Sequence, residues 1–589
     1  MSRQSNYDKF PFIQAGQAEE CSAGWQAIAA RLAPLLRQHP ICIECYPGVF
    51  SARVLEALSS HLSQTQVFLA EECLKTPEEL RAMLDPLLGS DRVFGRMSGI
   101  TLEDYFDSAK LEEMRFAVAR AAQQGSVLVV GTGASFVSPP GATSVYADLA
   151  RWEIQLRWRR QEVGNLGLNN AQDDFLLKYK CGFFAEWRAG DRLKKQLLPE
   201  IDFLLDTNQP RSPRLIGGDV FRHALEQIAQ RPFRVVPYFD PGPWGGHWME
   251  EVCDLPRDVP NHAWCFDCVP EENSLLLGFG QHRVEVPAID LVFSQPRALL
   301  GEAVHARFGA EFPIRFDFLD TMGGGNLSLQ VHPLTRYIRE KFGMNYTQDE
   351  SYYLLDAGPD ATVYLGLKDN ISPQEMTDDL DRAQECGGAF PAEKYVNRWP
   401  AKKHDHFLIP AGTIHCSGAN SMVLEISATP YIFTFKLWDW GRLGLDGRPR
   451  PISIEHGLAN IQWDRTTEWV RRELINRFET IHEEAGWCEE RTGLHEREFI
   501  ETRRHWFTGT VPHHTEGGVN VLNLVEGDEA IVESPNGAFA PFVVHYAETF
   551  IVPAAVNAYT IRPHGISVGK RCGTIKAFVR SQEKELFAV

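Results

Sequence analysis

Cysteine is scarce, with 12 in 589 residues. That is too few for a disulfide-built scaffold, so a reducing cytoplasm is the expected home. No apolar run approaches the ~18 residues a membrane-spanning helix needs, and the opening MSRQSNYDKF lacks the apolar stretch of a secretory leader. Cations are the minority: 59 Lys and Arg against 78 Asp and Glu leave −19. That balance argues against nucleic acid or an anionic membrane as partner. A small acidic ligand stays open, because a local cluster of cations overrides the global field. What remains is ordinary globular composition, 44% hydrophobic and 23% charged. The chain is too long for one core, and roughly 150 residues per domain implies about three or four.

The texture changes twice. Up to about residue 230, buried-strand patterns (Ile41–Cys45, Val67–Ala70, Ser126–Val130, Ile201–Leu205) alternate with helical ones (Ala52–Leu62, Glu112–Gln124). Alternation of this kind predicts a parallel sheet with helices on its faces. Past Arg231 glycine, proline and aromatics crowd in, strands shorten and helices become rare. Trp463–His482 reads as a charged helical connector, after which short strands resume. The expectation is a multidomain chain: an α/β domain over 1–230, then two all-β domains over 231–462 and 463–589.

The β part carries a weak internal repeat. Phe407-Leu-Ile-Pro410-Ala-Gly412-Thr-Ile-His415 is similar to Phe550-Ile-Val-Pro553-Ala-Ala555-Val-Asn-Ala558. The first copy reads P-x-G-x-x-H, the ending of a cupin metal motif, in which glycine permits a tight turn and histidine points into a small barrel. The second has Ala558 at the histidine position, so the expectation is two jelly-roll barrels, one loaded and one empty.

The alternation in Asn326-Leu-Ser328-Leu-Gln330-Val-His332-Pro333 is that of a strand. Gln330 and His332 are two apart and leave one face. Ser328 shares it, and either reaches a bound sugar or satisfies its hydroxyl in the core. Glu350 opens a further strand, and His415 comes at the end of the glycine turn. Two imidazoles, a carboxylate and an amide oxygen suit one borderline divalent ion such as zinc, with room for water or substrate. Manganese and iron stay open.

These residues carry a resemblance to class I mannose-6-phosphate isomerases of the short bacterial bicupin type. Gln330-Val-His332-Pro333 matches the family's QVHP, with Glu350 at its acidic ligand and His415 at its second histidine. Asp439-Trp440-Gly441-Arg442 through Ile454-Glu455-His456-Gly457-Leu458 resembles the family's DWGR segment and the stretch behind it. Pro243-Trp244-Gly245-Gly246 resembles the WGG signature, and Phe312-Pro313 with Leu319-Asp320 the FP…FLD strand. The likeness spans about residues 235 to 589. It implies a zinc-dependent aldose–ketose isomerase that converts mannose 6-phosphate to fructose 6-phosphate through an enediolate. Lys436 would face the enediolate or phosphate, and Glu425 would be an acid–base or a buried hydrogen-bonding partner. Arg442 would be a substrate cation or a structural anchor on a carboxylate. Trp244 would line the sugar or pack in the core.

The chain also departs from the family. Asp317 and Gln348 stand where lysines are usual, and Lys436 stands where the family has an arginine. Lysine keeps the charge but loses the planar fork. Gln348 therefore becomes a substrate-binding candidate, and the metal cage looks retained while the substrate cage looks rewritten. There are two alternatives: an isomerase with another sugar, phosphorylated or not, or a non-catalytic sugar-binding or regulatory bicupin.

The pairs Cys42/Cys45 and Cys265/Cys268 have zinc-knuckle spacing but fall on strand-like runs in different domains, which favours two buried core pairs. His404-Asp405-His406 reads as a solvated turn. Residues 41–210 resemble a nucleoside-kinase-type P-loop domain whose phosphate loop is broken. Tyr46-Pro47-Gly48-Val49-Phe50-Ser51 keeps one glycine and puts Phe50 at the lysine position, and Val127–Gly133 lacks an acidic residue for magnesium. Such a module would be catalytically dead, serving regulation or dimerisation. An intact kinase–isomerase would need the missing lysine. A homodimer is the corresponding partner expectation, beside a sugar or sugar phosphate.

Overall fold

The computed structural model describes residues 5–62, 64–386, 388–428 and 432–580. The last nine residues of the expected C-terminal domain lie outside these. The chain divides into two compact units. One joins Phe12–Ile228 to Glu271–Gln295, and the other joins the chain up to Pro11 to Ala229–Pro270 and everything from Pro296 onward.

The first unit is built on β1 (Cys21–Ala23), β2 (Ile41–Cys45), β3 (Gln66–Leu69), β4 (Val127–Gly131), β5 (Thr143–Asp148), β6 (Phe203–Asp206) and β7 (Arg214–Gly217), in the order β1-β7-β6-β5-β2-β4-β3. The five strands β2 to β6 run parallel, while β7 and β1 are antiparallel additions. β2 and β4 are buried along their whole length; β4 reads as a continuous apolar run because helices cover both faces, while β2 carries one carboxylate, Glu44, which accepts from the backbone N–H groups of Gly133 and Ser135. The helix Ser108–Ala122 starts before the expected Glu112, because Asp107 caps it by accepting from the backbone N–H groups of Ala109 and Lys110.

Residues 271–295, expected inside the second domain, belong to this first unit. Their hairpin, Ser274–Phe279 with His282–Pro287, takes Phe12–Gly16 as a parallel partner, with Phe12 opposite Leu276. Pairing between segments so far apart leaves no local pattern to read.

The second unit contains two β-sheet stacks. In the first, β8 (Tyr238–Asp240), β9 (Trp264–Cys268), β10 (Ile314–Asp320), β11 (Leu329–Val331), β12 (Glu350–Ala357), β13 (Thr362–Leu367), β14 (Val396–Pro400), β15 (His406–Ile409), β16 (His415–Ser417), β17 (Ser421–Ala428) and β18 (Phe435–Trp438) form two antiparallel sheets. Their orders are β15-β12-β17-β10-β9-β8 and β14-β13-β16-β11-β18. This part is not purely β. Helices Thr335–Phe342 and Pro373–Cys386 are inserted. The second is strongly acidic, which hides the stripe of Met376, Leu380 and Ala383 that it buries.

In the second stack, β19 (Glu479–Glu484), β20 (Trp487–Gly493), β21 (Ile500–Phe507), β22 (Val511–His514), β23 (Asn520–Glu526), β24 (Glu529–Glu533), β25 (Phe542–His545), β26 (Thr549–Val552), β27 (Ala558–Pro563) and β28 (Cys572–Val579) succeed one another along the chain. They form sheets β19-β20-β21-β28-β23-β26 and β22-β27-β24-β25. Leu522, Leu524, Phe550, Ile561 and Val532 pack between them. The expected helical connector is helix only over Thr467–Glu473, and its last residues are already in β19. Arg234 anchors this unit from within: its guanidinium lies 2.7 Å from Glu548 and 3.4 Å from Asp267, all three buried.

The cysteines of both pairs are buried free thiols on β2 and β9. His406 is not in a solvated turn. It is fully buried on β15, 2.8 Å from Ser351 Oγ, and His404 sits 2.9 Å from Tyr353 Oη.

Candidate metal centre

Gly412 sets the local geometry. Its backbone is left-handed at φ +87°, and a Cβ there would lie 2.8 Å from the Asn460 carbonyl, so the tight turn into β16 needs glycine. The turn delivers His415 to a position opposite Gln330 on β11, and Gln330 is also opposite Lys436 on β18. Cross-strand partners share a face, so these three side chains project together. On the other sheet, Glu350 pairs with Ser427 and Arg315 with the same residue, while Asp317, Glu425 and Tyr352 form the adjacent row.

His332, Glu350 and His415 converge and are fully buried. His332 Nε2 lies 3.1 Å from one Glu350 oxygen and His415 Nε2 lies 2.7 Å from the other. Each imidazole has its remaining nitrogen on a backbone carbonyl: His332 Nδ1 is 3.1 Å from Phe433 O, and His415 Nδ1 is 2.8 Å from Thr413 O. A carbonyl can only accept, so both rings carry their proton on Nδ1 and aim the Nε2 lone pair at the carboxylate. His332 Nε2 and Glu350 Oε1 have no hydrogen-bond partner. Two lone pairs facing a carboxylate, all out of water, lack a positive charge among them. The donor set fits a divalent ion of zinc type. Gln330 stands at 3.3 Å from His415 Nε2 through its amide nitrogen, and a half-turn of the amide presents its oxygen instead.

Around this triad the polar groups are densely interlocked. Gln348 Nε2 donates to Glu350 Oε2 at 3.1 Å and to Glu425 Oε1 at 3.3 Å. Ser427 Oγ donates to Glu425 at 3.0 Å, and Arg315 donates to Asp317 at 2.8 Å while lying 3.7 Å from Glu425. Burial raises the Glu350 carboxyl, and positive charge at the two Nε2 positions brings it well below the usual range. Burial, then Asp317 and Glu350, push Glu425 well above it. Asp317 is pushed to about 6 by burial against the pull of Arg315. Burial, helped by Arg450 and opposed by Asp439, lowers the Lys436 ammonium to about 7.

The remaining candidates are placed differently. Arg442 donates to Asp439 Oδ1 at 2.5 Å and to Asn326 O at 2.6 Å, so its guanidinium is engaged by a carboxylate and a backbone carbonyl. Ser328 is taken up in the same cluster: it donates to Asp439 at 2.9 Å and accepts from Arg450 at 3.1 Å. Trp244 is buried with its ring edge-to-face on Trp264, centroids 4.7 Å apart. Sequence reasoning missed Arg315, whose approach to Asp317 and Glu425 depends on strand register alone. It also missed the two carbonyls that fix the imidazole tautomers.

Residues 24–230 match a family model described as a domain of unknown function, DUF8485. A mannose-6-phosphate isomerase of Streptococcus mutans is 26% identical over 217 residues, 36% of this chain and 63% of that protein. One from Bacillus subtilis is 23% identical over 241 residues, 40% of this chain and 69% of that protein. Among solved structures, the mannose 6-phosphate isomerase of Bacillus subtilis aligns with 59% of this chain and 99% of its own at TM-score 0.48 and 18% identity. A variant of the Salmonella typhimurium phosphomannose isomerase aligns with 60% of this chain and 100% of its own at 0.46 and 14%. The chain thus spans a little under two thirds of the Streptococcus mutans relative's length. Over about 40% of its residues it is homologous to mannose-6-phosphate isomerases.

Proposed function

We propose that the protein is a zinc-dependent aldose–ketose isomerase acting on mannose 6-phosphate or a closely related sugar. The observation that carries this reading is the buried His332–Glu350–His415 triad, with both imidazoles held in the metal-ligating tautomer, in a chain homologous to such isomerases. Gln330, His332, Glu350 and His415 would hold the ion, and zinc when bound would polarise the sugar's oxygens. Lys436 shares the face of Gln330 and His415 and supplies the cation for the negative charge that develops on the substrate as a proton moves between C2 and C1. Glu425, kept protonated by burial, can hold or return that proton at its carboxyl oxygen. Gln348, donating to both Glu350 and Glu425, orients the two carboxyl groups relative to each other.

The substrate is narrowed by what lines the site. Arg315 is already committed to Asp317, so Lys436 is the cation left for a phosphate on this face. That favours a sugar whose phosphate is weakly held or absent. The β2–β6 core order β3-β4-β2-β5-β6 supports a P-loop-kinase-like ancestry for the first unit. Its crevice is filled by the chain's own groups: Lys194 lies between Asp148 at 2.7 Å and Asp290 at 2.9 Å, and Arg157 donates to Gly48 O at 2.8 Å across the would-be phosphate loop. We read this unit as non-catalytic.

The test is turnover of mannose 6-phosphate and of free mannose by the metal-loaded protein, repeated after chelation. Ketose formation abolished by the chelator and restored by zinc is expected. Sugar binding without turnover would favour the non-catalytic bicupin, and neither binding nor turnover would overturn both readings.

A further inference from the structure

The turn between β15 and β16, residues 410–413, reaches every part of the triad. Gly412 N–H donates to the backbone carbonyl of His332 at 3.0 Å. Ala411 N–H donates at 2.8 Å to the carboxylate of Asp349, the residue before Glu350 on the chain. Thr413 O holds His415 Nδ1 at 2.8 Å. One short turn thus ties together donors that lie far apart in sequence. Any displacement of it moves them relative to one another, and metal affinity depends on donors being in place before the ion arrives.

A side chain outside the triad holds this turn. Arg465 Nη1 donates to Pro410 O at 2.7 Å and to Ala411 O at 2.8 Å, and it also donates to Thr413 Oγ1. The same hydroxyl donates to Pro410 O at 2.7 Å, so the acceptors are themselves cross-braced. The Arg465 backbone is fixed as well. Its carbonyl accepts from Leu367 N–H at 3.0 Å, at the end of β13, and Leu365 of that strand pairs with His415. Arg465 is more than nine-tenths buried, lies over the Trp469 ring at 5.4 Å, and takes part in no ion pair among the described residues. Burial lowers its guanidinium to about 10. A cation out of water without a carboxylate partner is unfavourable unless other groups hydrogen-bond it, and here the oxygens of the 410–413 turn do so.

We propose that Arg465 is a positioning residue of the metal centre: by fixing the 410–413 turn it holds His332, Glu350 and His415 at the mutual spacing an ion requires, without itself touching metal or substrate. The proposal rests on reading the triad as the metal site. Charge and position predict opposite signs for its removal. A guanidinium beside a cation site repels the ion, so on charge alone the loss of Arg465 would tighten zinc. Acting through the turn, its loss loosens zinc.

The test is the zinc affinity of the full-length protein, measured by competition with a chromophoric chelator, for wild type, H415A, R465M, R465K and T413V. The cobalt(II) form of each is scanned as well, because its visible bands report coordination geometry and not general stability. R465M should bind zinc at least about tenfold more weakly than wild type, with altered cobalt bands, as is usual when a group that orients metal ligands is removed. All three Arg465 contacts come from one nitrogen, so the lysine ammonium with its three donors can replace them, and R465K should lie within about threefold of wild type. T413V removes only the hydroxyl link and should bind about threefold more weakly or worse; it carries the test if R465M does not fold. H415A separates the proposal from the reading beneath it. If H415A holds zinc as tightly as wild type, the triad is not the metal site and both fall. If H415A loses zinc while R465M, or T413V in its place, binds as tightly as wild type or more tightly with unchanged cobalt bands, the role of Arg465 alone is overturned.

Discussion

Replacing Glu350 with glutamine should uncouple the protein from its metal. The carboxylate sits between two Nε2 lone pairs at 3.1 and 2.7 Å, so it is the negative donor of the set. Zinc bound by four protein donors is worth about 10–16 kcal/mol in small zinc domains, or about 3 kcal/mol per donor, which is roughly a hundredfold in affinity. At free zinc about a hundredfold above the wild-type Kd, metal stabilises the folded state by about 2.7 kcal/mol. With affinity down a hundredfold the same zinc contributes only about 0.4 kcal/mol. For a domain of this size the difference of about 2.3 kcal/mol is about 5 °C in Tm. The assay is the zinc-induced rise in Tm, read as the difference between chelated and zinc-saturated samples of each protein. Because each protein is its own reference, any effect of E350Q on the metal-free fold cancels. A zinc-dependent rise that persists unchanged in E350Q, with one equivalent of metal still bound, would refute the triad as the metal site.

Further outcomes are expected. Lys436→Met should lower kcat by roughly 10²–10³ with zinc content unchanged. Because the Lys436 ammonium is lowered to about 7, wild-type turnover should fall as pH rises through about 7, and K436R should move that fall upward in a pH–rate profile. Glu186 is buried and its carboxyl is pushed up to about 7, so the folded state binds a proton that the unfolded chain releases near 4.3. Stability is therefore lost as pH rises from about 4.5 to about 7, by up to about 3 kcal/mol. E186Q, which keeps an oxygen for the Leu166 N–H, should recover it at pH 8 and not below pH 4.5 in urea melts. Arg234→Ala leaves Glu548 and Asp267 buried without their cation and should cost about 3–5 kcal/mol, read by the same melts. Magnesium–ATP should give no calorimetric signal, and sub-millimolar binding would show that the Phe50-bearing loop still cradles phosphates.

The triad was legible in the sequence because its residues announce themselves locally. The triad lies on short-range signals: the i, i+2 spacing of Gln330 and His332, and the glycine turn before His415. Each fixes a face without knowledge of the neighbouring strands. β4 was equally readable because full burial leaves an unbroken apolar run. What failed was register and long-range pairing. Ser328 and Arg442 sit on motif positions, yet they serve Asp439. The hairpin 274–287 joined the first unit through Phe12–Gly16, and the acidic helix Pro373–Cys386 hid its buried stripe under surface charge.

The two halves of the internal repeat show what the sequence difference does physically. In the first copy the turn ends in His415, which meets His332 and the Glu350 carboxylate out of water, so what is lacking there is a cation of high charge density. In the second copy the turn ends in Ala558, which is exposed at the start of β27, and no imidazole enters from that side. His505 and His513 come from β21 and β22 instead, and the cations beside them, Arg491 and Arg503, are paired with Glu479, Glu489 and Glu501.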